Sequence, residues 1–192
     1  MQQTKVLNFI ENVLNNMPSD WLYLTTHRLD IYNESLAKTA FLDNFTHLYH
    51  HNNSTKSALK NLPTAYDYIR LGHPLSCILE WTIANLTAQK SENIISFSSR
   101  TAPVLAILRK NLLDNKNTQI LYIDELPEFF NTNLIKNVYG YQFEIKKIES
   151  LNNTSKFDGS TIFISQKNDI SNFNNHTNID FFVNCTQNLG SI

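Results

Sequence analysis

Apolar residues at Val6, Phe9, Ile10, Val13, Leu14 and Met17 recur at intervals of three and four, the period of a helix that buries one stripe. Pro18-Ser19-Asp20 closes that stripe before a short apolar run at 21–24. A second stripe through Leu36, Ala40, Phe41, Phe45 and Leu48 predicts a helix over 33–50, after which 51–57 turns polar and reads as an internal linker. From 75 onward the punctuation changes. A helix through Ile78, Leu79, Trp81, Ile83, Ala84 and Leu86 precedes a strand at 94–97, a helix at 103–113 and a strand at 119–123. A further helix near 129–138 and strands near 141–148, 161–165 and 180–184 continue the alternation. Helices alternating with short apolar strands predict an α/β fold with a three-layer, mostly parallel sheet and N-terminal helices. On this reading 1–60 is a helical region and 61–192 the α/β domain. The Asn/Ser-rich pieces 152–156 and 168–178 read as loops, and no internal repeat is visible.

Composition narrows the class. The 192 residues suit one ordinary core, and the formal net charge of -1, with Lys and Arg dispersed, provides no basic stripe for a phosphate backbone. Nucleic acid is therefore not an expected partner. No apolar run approaches the roughly 18 residues of a membrane span, and Gln2-Gln3-Thr4-Lys5 leads into an amphipathic segment rather than a signal-peptide core, so a cytoplasmic location without a membrane partner is expected. Cys77 and Cys185 are too few and too distant for a disulfide framework, which fits a reducing compartment. Triplets such as Asn44-Phe45-Thr46 follow from an Asn-rich chain and give no argument for glycosylation.

Common catalytic constellations find little support. Asp43, His47, His50 and His51 could share a helical face, but histidines at a solvated helix C-terminus are favoured by the dipole without any metal. There is no GxSxG, and the serines at 96–99 lack glycine neighbours. With four glycines in the chain, neither GxGxxG nor GxxxxGK[ST] occurs. Cys185 follows an expected strand and has no assigned base, so a small buried residue is the simpler reading.

The informative stretch runs from Tyr68 to Ala102. Tyr68 and Arg70 stand two apart in a segment punctuated by Gly72 and Pro74, offering a phenol and a rigid guanidinium fork to an anion. Farther on, Ser98-Ser99-Arg100-Thr101-Ala102 joins a strand to a helix, where free N–H groups and the helix dipole also favour an anion. The competing reading is an exposed tyrosine and an arginine saturated by a nearby carboxylate.

Tyr68, Arg70, Gly72, Pro74, Leu79 and Glu80 match the pattern Y-x-R-x-G-N-P-T-x-x-x-L-E, with His73 and Leu75 at the Asn and Thr positions. This resembles the cysteine/methionine-metabolism (trans-sulfuration) family of pyridoxal-phosphate enzymes, the cystathionine γ-synthases and lyases, over residues 65–113 and more faintly to residue 192. The resemblance implies part of the large domain of fold type I. It implies that Tyr68 and Arg70 reach the phosphate of a neighbouring subunit's cofactor, and that Ser99, Arg100 and Thr101 form this chain's own phosphate cradle. Pyridoxal phosphate is the implied cofactor, held weakly or lost.

The departures shape the functional expectation. Arg100 stands where the family has a glycine that lets backbone approach the phosphate. The segment 124–129 lacks the family's ring-stacking tyrosine, and Phe182-Val183-Asn184-Cys185-Thr186 is similar to a V-D-N-T strand end with Asn184 in place of the carboxylate at the pyridinium nitrogen. The Schiff-base lysine of the family would lie downstream of that strand, on a loop outside this sequence, whose last lysine is Lys167. The expectation is a truncated, catalytically degenerate relative that acts with a full-length family partner or as a homo-oligomer. Two alternatives stand beside it: a split subunit of a working sulfur-amino-acid enzyme, and a non-enzymatic α/β module for another phosphate ligand.

Overall fold

A computed structural model of the chain describes residues 2–22, 38–63, 73–166, 176–186 and 190–191. It divides into two compact units, Met1–Ile94 and Ile95–Ile192.

The first unit is helical: α1 (Gln2–Asn16), a 3-10 turn at Ser19–Leu22, α2 (Lys38–His50), α3 (Lys56–Lys60), α4 (Pro74–Thr87) and a 3-10 turn at Ser91–Asn93. The stripe read from the sequence of α1 faces inward through Val6, Phe9 and Val13, while α2 contributes Phe41, Phe45 and Tyr49 and α4 contributes Trp81. Aromatic edges fill the centre. The Trp81 ring lies 5.1 Å from both Phe45 and Tyr49, and Phe9 lies 5.6 Å and 5.3 Å from the same two rings. Trp81 Nε1 donates to Thr46 Oγ1 at 2.9 Å, which satisfies the indole's polar handle inside the cluster. At its edge Lys38 pairs with the nearly buried Glu80 at 2.5 Å and donates to the carbonyls of Ser91 and Ile94.

Two expectations are corrected. The polar stretch 51–57 is a turn leading into a helix cap rather than a linker. Thr55 Oγ1 accepts from the Ala58 N–H at the start of α3, whose Leu59 is fully buried. The strand expected at 94–97 does not form a ladder; only Phe97 makes a bridge. The Ile94 N–H is drawn back to the Ser91 carbonyl and the Ile94 carbonyl is taken by Lys38, so its backbone is committed to the preceding turn.

The second unit is the α/β part: α5 (Ala102–Leu113), β1 (Thr118–Tyr122), α6 (Thr132–Asn137), β2 (Glu144–Lys147), β3 (Ser160–Ser165), β4 (Phe181–Thr186) and the two-residue β5 (Gly190–Ser191). The sheet order is β2-β1-β3-β4-β5, with the first four strands parallel and β5 antiparallel to β4. The expected α/β class with a mostly parallel sheet is therefore observed. One face carries Ile120, Ile162, Ile164, Val183 and Cys185 and packs in one cluster with Val104 and Leu108 of α5 and Ile135 of α6. The other carries Leu121, Phe163 and Phe182, with Gln119 donating to Thr161. On β3 every residue from Ser160 to Ile164 is buried, as a central parallel strand requires.

Among the described residues no helix is long and apolar enough to cross a membrane.

Two predictions follow from local geometry. Gly159 has φ +154°, and a Cβ there would collide with the Asn117 carbonyl and lie 2.7 Å from the Phe157 ring. Gly159→Ala is expected to lower stability by roughly 1–3 kcal/mol or more in urea denaturation. His73 caps α4: its Nδ1 accepts from the Leu75 N–H at 3.1 Å, and the ring also bonds the Trp21 backbone. Burial lowers its pKa below 6.5, with the Trp21 bond acting in the opposite sense. The folded state thus binds fewer protons than the unfolded one. The contribution is complete above about pH 6.5 and is lost as pH falls toward the folded value. Denaturation midpoints between about pH 7 and pH 5 should fall less steeply for His73→Asn, which caps without titrating, than for wild type.

Candidate functional site

The loop before α5 is the part of the expected anion site that the structure places. Ser99 Oγ accepts from the N–H groups of Thr101 and Ala102, both at 3.3 Å, and lies 3.2 Å from Thr101 Oγ1. The serine therefore closes a local turn ahead of the Thr101 N-cap, which has no side-chain cap bond of its own, and engages two of the donors that an anion would otherwise meet. Pro103 sits in the first turn, where its missing N–H costs nothing. Ser99, Arg100 and Thr101 are all exposed.

Arg100 supplies the charge. Its guanidinium carbon lies 5.0 Å from the centre of the Phe129 ring, within cation–π range. None of the ion pairs among the described residues uses it. Its carbonyl accepts a long hydrogen bond, 3.7 Å, from Cys185 Sγ on β4. The loop is thus fastened beside the carboxyl end of β4, by a thiol that is itself buried with Val183 and Ile164.

Strand alternation turns the preceding side chain the other way. Asn184 is 2% exposed on the opposite face, and its Oδ1 has no hydrogen-bond partner. The chain leaves β1 for β2 on one side and reaches β3 on the other, so the strand order reverses between β1 and β3. At open α/β sheets such a switch point opens a crevice beyond the carboxyl ends of the strands. Here Gln166, just past β3, donates to the Glu125 carbonyl just past β1 at 3.1 Å.

Tyr68 and Arg70 lie outside the described residues, so the structure brings together only Ser99, Arg100 and Thr101 of the expected set. Reading the sequence missed Phe129 as the partner of Arg100. The segment 124–129 has no tyrosine, and its signal is the Phe129-Phe130 pair after Pro127 and ahead of a helix cap at Asn131. Among the described residues no group of three or more His, Cys, Asp or Glu side chains could hold a metal. The His47 and His51 rings lie 4.1 Å apart and tilted by 33° at the end of α2, where His51 Nδ1 lies 2.9 Å from the His47 carbonyl.

Ser99→Ala should cost about 1 kcal/mol in equilibrium unfolding, the usual net worth of such hydrogen bonds, with Ser99→Asp restoring most of it. Equal loss in both variants would show that the hydroxyl's hydrogen bonds are not what matters. No family model, curated protein or solved structure matches the chain.

Proposed function

We propose that the chain is a catalytically degenerate relative of the trans-sulfuration pyridoxal-phosphate enzymes. In this reading it binds the phosphate of that cofactor, or of a similar ligand, at Ser99-Arg100-Thr101. It acts in association with a full-length family partner or a second copy of itself. The observation that carries the reading is the Cys185 to Arg100 contact. Resemblance assigns the 99–101 loop and the 182–186 strand end to one cofactor site, and these two segments, more than 80 positions apart, adjoin in the second unit.

The donor set fits the phosphate better than the ring. Arg100 is exposed and carries no ion pair among the described residues, so its fork is available to an anion. Asn184, which the resemblance sets at the ring nitrogen, is a neutral amide buried on the sheet face opposite Cys185, so it supplies no carboxylate for a protonated ring nitrogen. When bound, pyridoxal phosphate supplies an electron sink. What this chain's described residues supply is the hold on its phosphate, with Ser99 fixing the loop and Arg100 compensating charge. That combination favours retained binding over retained turnover.

The second alternative, a module for some other phosphate ligand, draws on the same neutral Asn184. An absorbance and fluorescence titration with pyridoxal phosphate, run beside simple phosphoesters, separates the two. Saturable binding of pyridoxal phosphate that weakens about tenfold in Arg100→Ala or Arg70→Ala is expected. Preference for the phosphoesters would move the assignment to the second reading, and no binding of either would remove the phosphate site.

A further inference from the structure

The sheet of the second unit ends at β2, which pairs with β1 on one side and with no described strand on the other. The ladder fixes which backbone groups remain. The Ile148 N–H donates to the Tyr122 carbonyl at 2.9 Å, so Ile148, and by alternation Lys146 and Glu144, turn their backbone groups toward β1. Ile145 and Lys147, between them, aim N–H and carbonyl out of the sheet. Side chains alternate as well. Ile145 packs against the cluster shared with α5 and α6, whereas Glu144 and Lys146 stand exposed on the opposite face. None of the ion pairs among the described residues uses Glu144, Lys146 or Lys147.

An edge of this kind is a template for another strand, and lysines often guard it. Here the charges sort the possible partners. A second copy paired antiparallel about a twofold axis normal to the sheet keeps each face on its own side, so the axis falls between the two copies of one β2 residue. An axis at Glu144, Lys146 or Lys147 sets that charge against its own image. An axis at Ile145 sets isoleucine against isoleucine on the α5 face and, on the other face, Glu144 against Lys146 of the second copy, once on each side of the axis. Backbone direction agrees with that choice. The two copies of Ile145 become a hydrogen-bonded pair through the N–H and carbonyl that the ladder leaves outward, and Glu144 and Lys146 fall at the non-hydrogen-bonded positions, where side chains come closest. Edge protection alone would be served by lysine at every exposed position. The alternation of acid and base about an apolar centre serves self-recognition instead.

We propose that the β2 edge joins two copies of this chain, antiparallel, with Ile145 at the axis and Glu144 against Lys146 of the second copy, so that one sheet runs through both second units. The pairing gives self-association a surface, and it stands on β2 independently of the reading of the 99–101 loop.

The test is sedimentation equilibrium of the full chain. A pairing this short belongs to the weak, transient class, so the dimer is sought between roughly 10 μM and 1 mM. Glu144→Lys and Lys146→Glu each turn two attractive pairs into two repulsive ones and should weaken the dimer at least about tenfold. An equal mixture of these two variants should dimerise again, because every charge then meets its opposite on the other chain. Lys147→Pro removes an outward N–H and no bond to β1, and should abolish the dimer while leaving the thermal midpoint of the monomer near that of wild type. A wild-type chain that stays monomeric to about 1 mM would overturn the edge pairing. So would a dimer undiminished in both single variants or in Lys147→Pro, or a mixture that associates no better than either variant alone. None of these outcomes touches the phosphate reading, which the pyridoxal phosphate titration decides.

Discussion

The arrangement of the second unit depends on how closely β3 approaches the turn before β1. Gly159 sits against the Asn117 carbonyl with no room for a Cβ, and the Ser160 N–H donates to that same carbonyl at 2.8 Å. This contact starts the parallel pairing at Thr118 opposite Ser160, and the register then runs to Tyr122 opposite Ile164. A slip of one residue would exchange the two faces, sending Ile162 and Ile164 away from α5 and α6. At the same end Asp180 fixes the next strand. Its Oδ2 accepts from the Thr161 N–H and its own N–H donates to the Thr161 carbonyl, so β4 begins in step with β3. With both registers fixed at the amino end, the carboxyl end of β4 is delivered to the loop before α5.

That placement gives the loop a different character from a glycine cradle. A glycine would let the backbone donors close on a phosphate, whereas Arg100 puts a long side chain there and Ser99 engages two of the N–H groups. Charge attraction moves from the helix terminus to a guanidinium lying on an aromatic ring. Phe129 limits the directions the arginine can take, which on the proposed reading would reduce the entropy lost on gripping an anion.

Much of this was legible in the sequence where one physical signal dominated. The stripes of α1 and α2, the helix at 102–113 and the four parallel strands were each marked by apolar spacing, and, where the residues are described, their boundaries lie within a few residues of those expected; 33–37 of the second stripe lie outside the described residues. The 94–97 segment was not, because two isoleucines and a phenylalanine carry the same period whether or not a neighbouring strand takes their backbone groups. Lys38, more than 50 positions away, takes the Ile94 carbonyl, and no local pattern announces that. The polar run at 51–57 misled for the opposite reason: Thr55 is polar because it caps a helix, and the single buried Leu59 is too little apolar signal to reveal five helical residues. At the site, Ser99, Arg100 and Thr101 were found as types suited to anions. Their local hydrogen bonds and the Phe129 contact depend on tertiary placement and were not readable.

Asn184 shows how little a neutral amide asks of the fold at this strand end. A carboxylate at a position only 2% exposed would be a buried charge, and without a cation beside it the cost would be several kcal/mol. A family member that keeps a protonated ring nitrogen against such a carboxylate recovers that cost from the bound cofactor. The amide asks far less. One unpaired carbonyl oxygen costs about 1–3 kcal/mol, which a domain can carry with the site empty or filled. The second unit therefore needs no cation beside Asn184 to be stable. On the proposed reading the 99–101 loop is under a different constraint, because Arg100 is exposed, costs the fold little, and is kept only while an anion is bound.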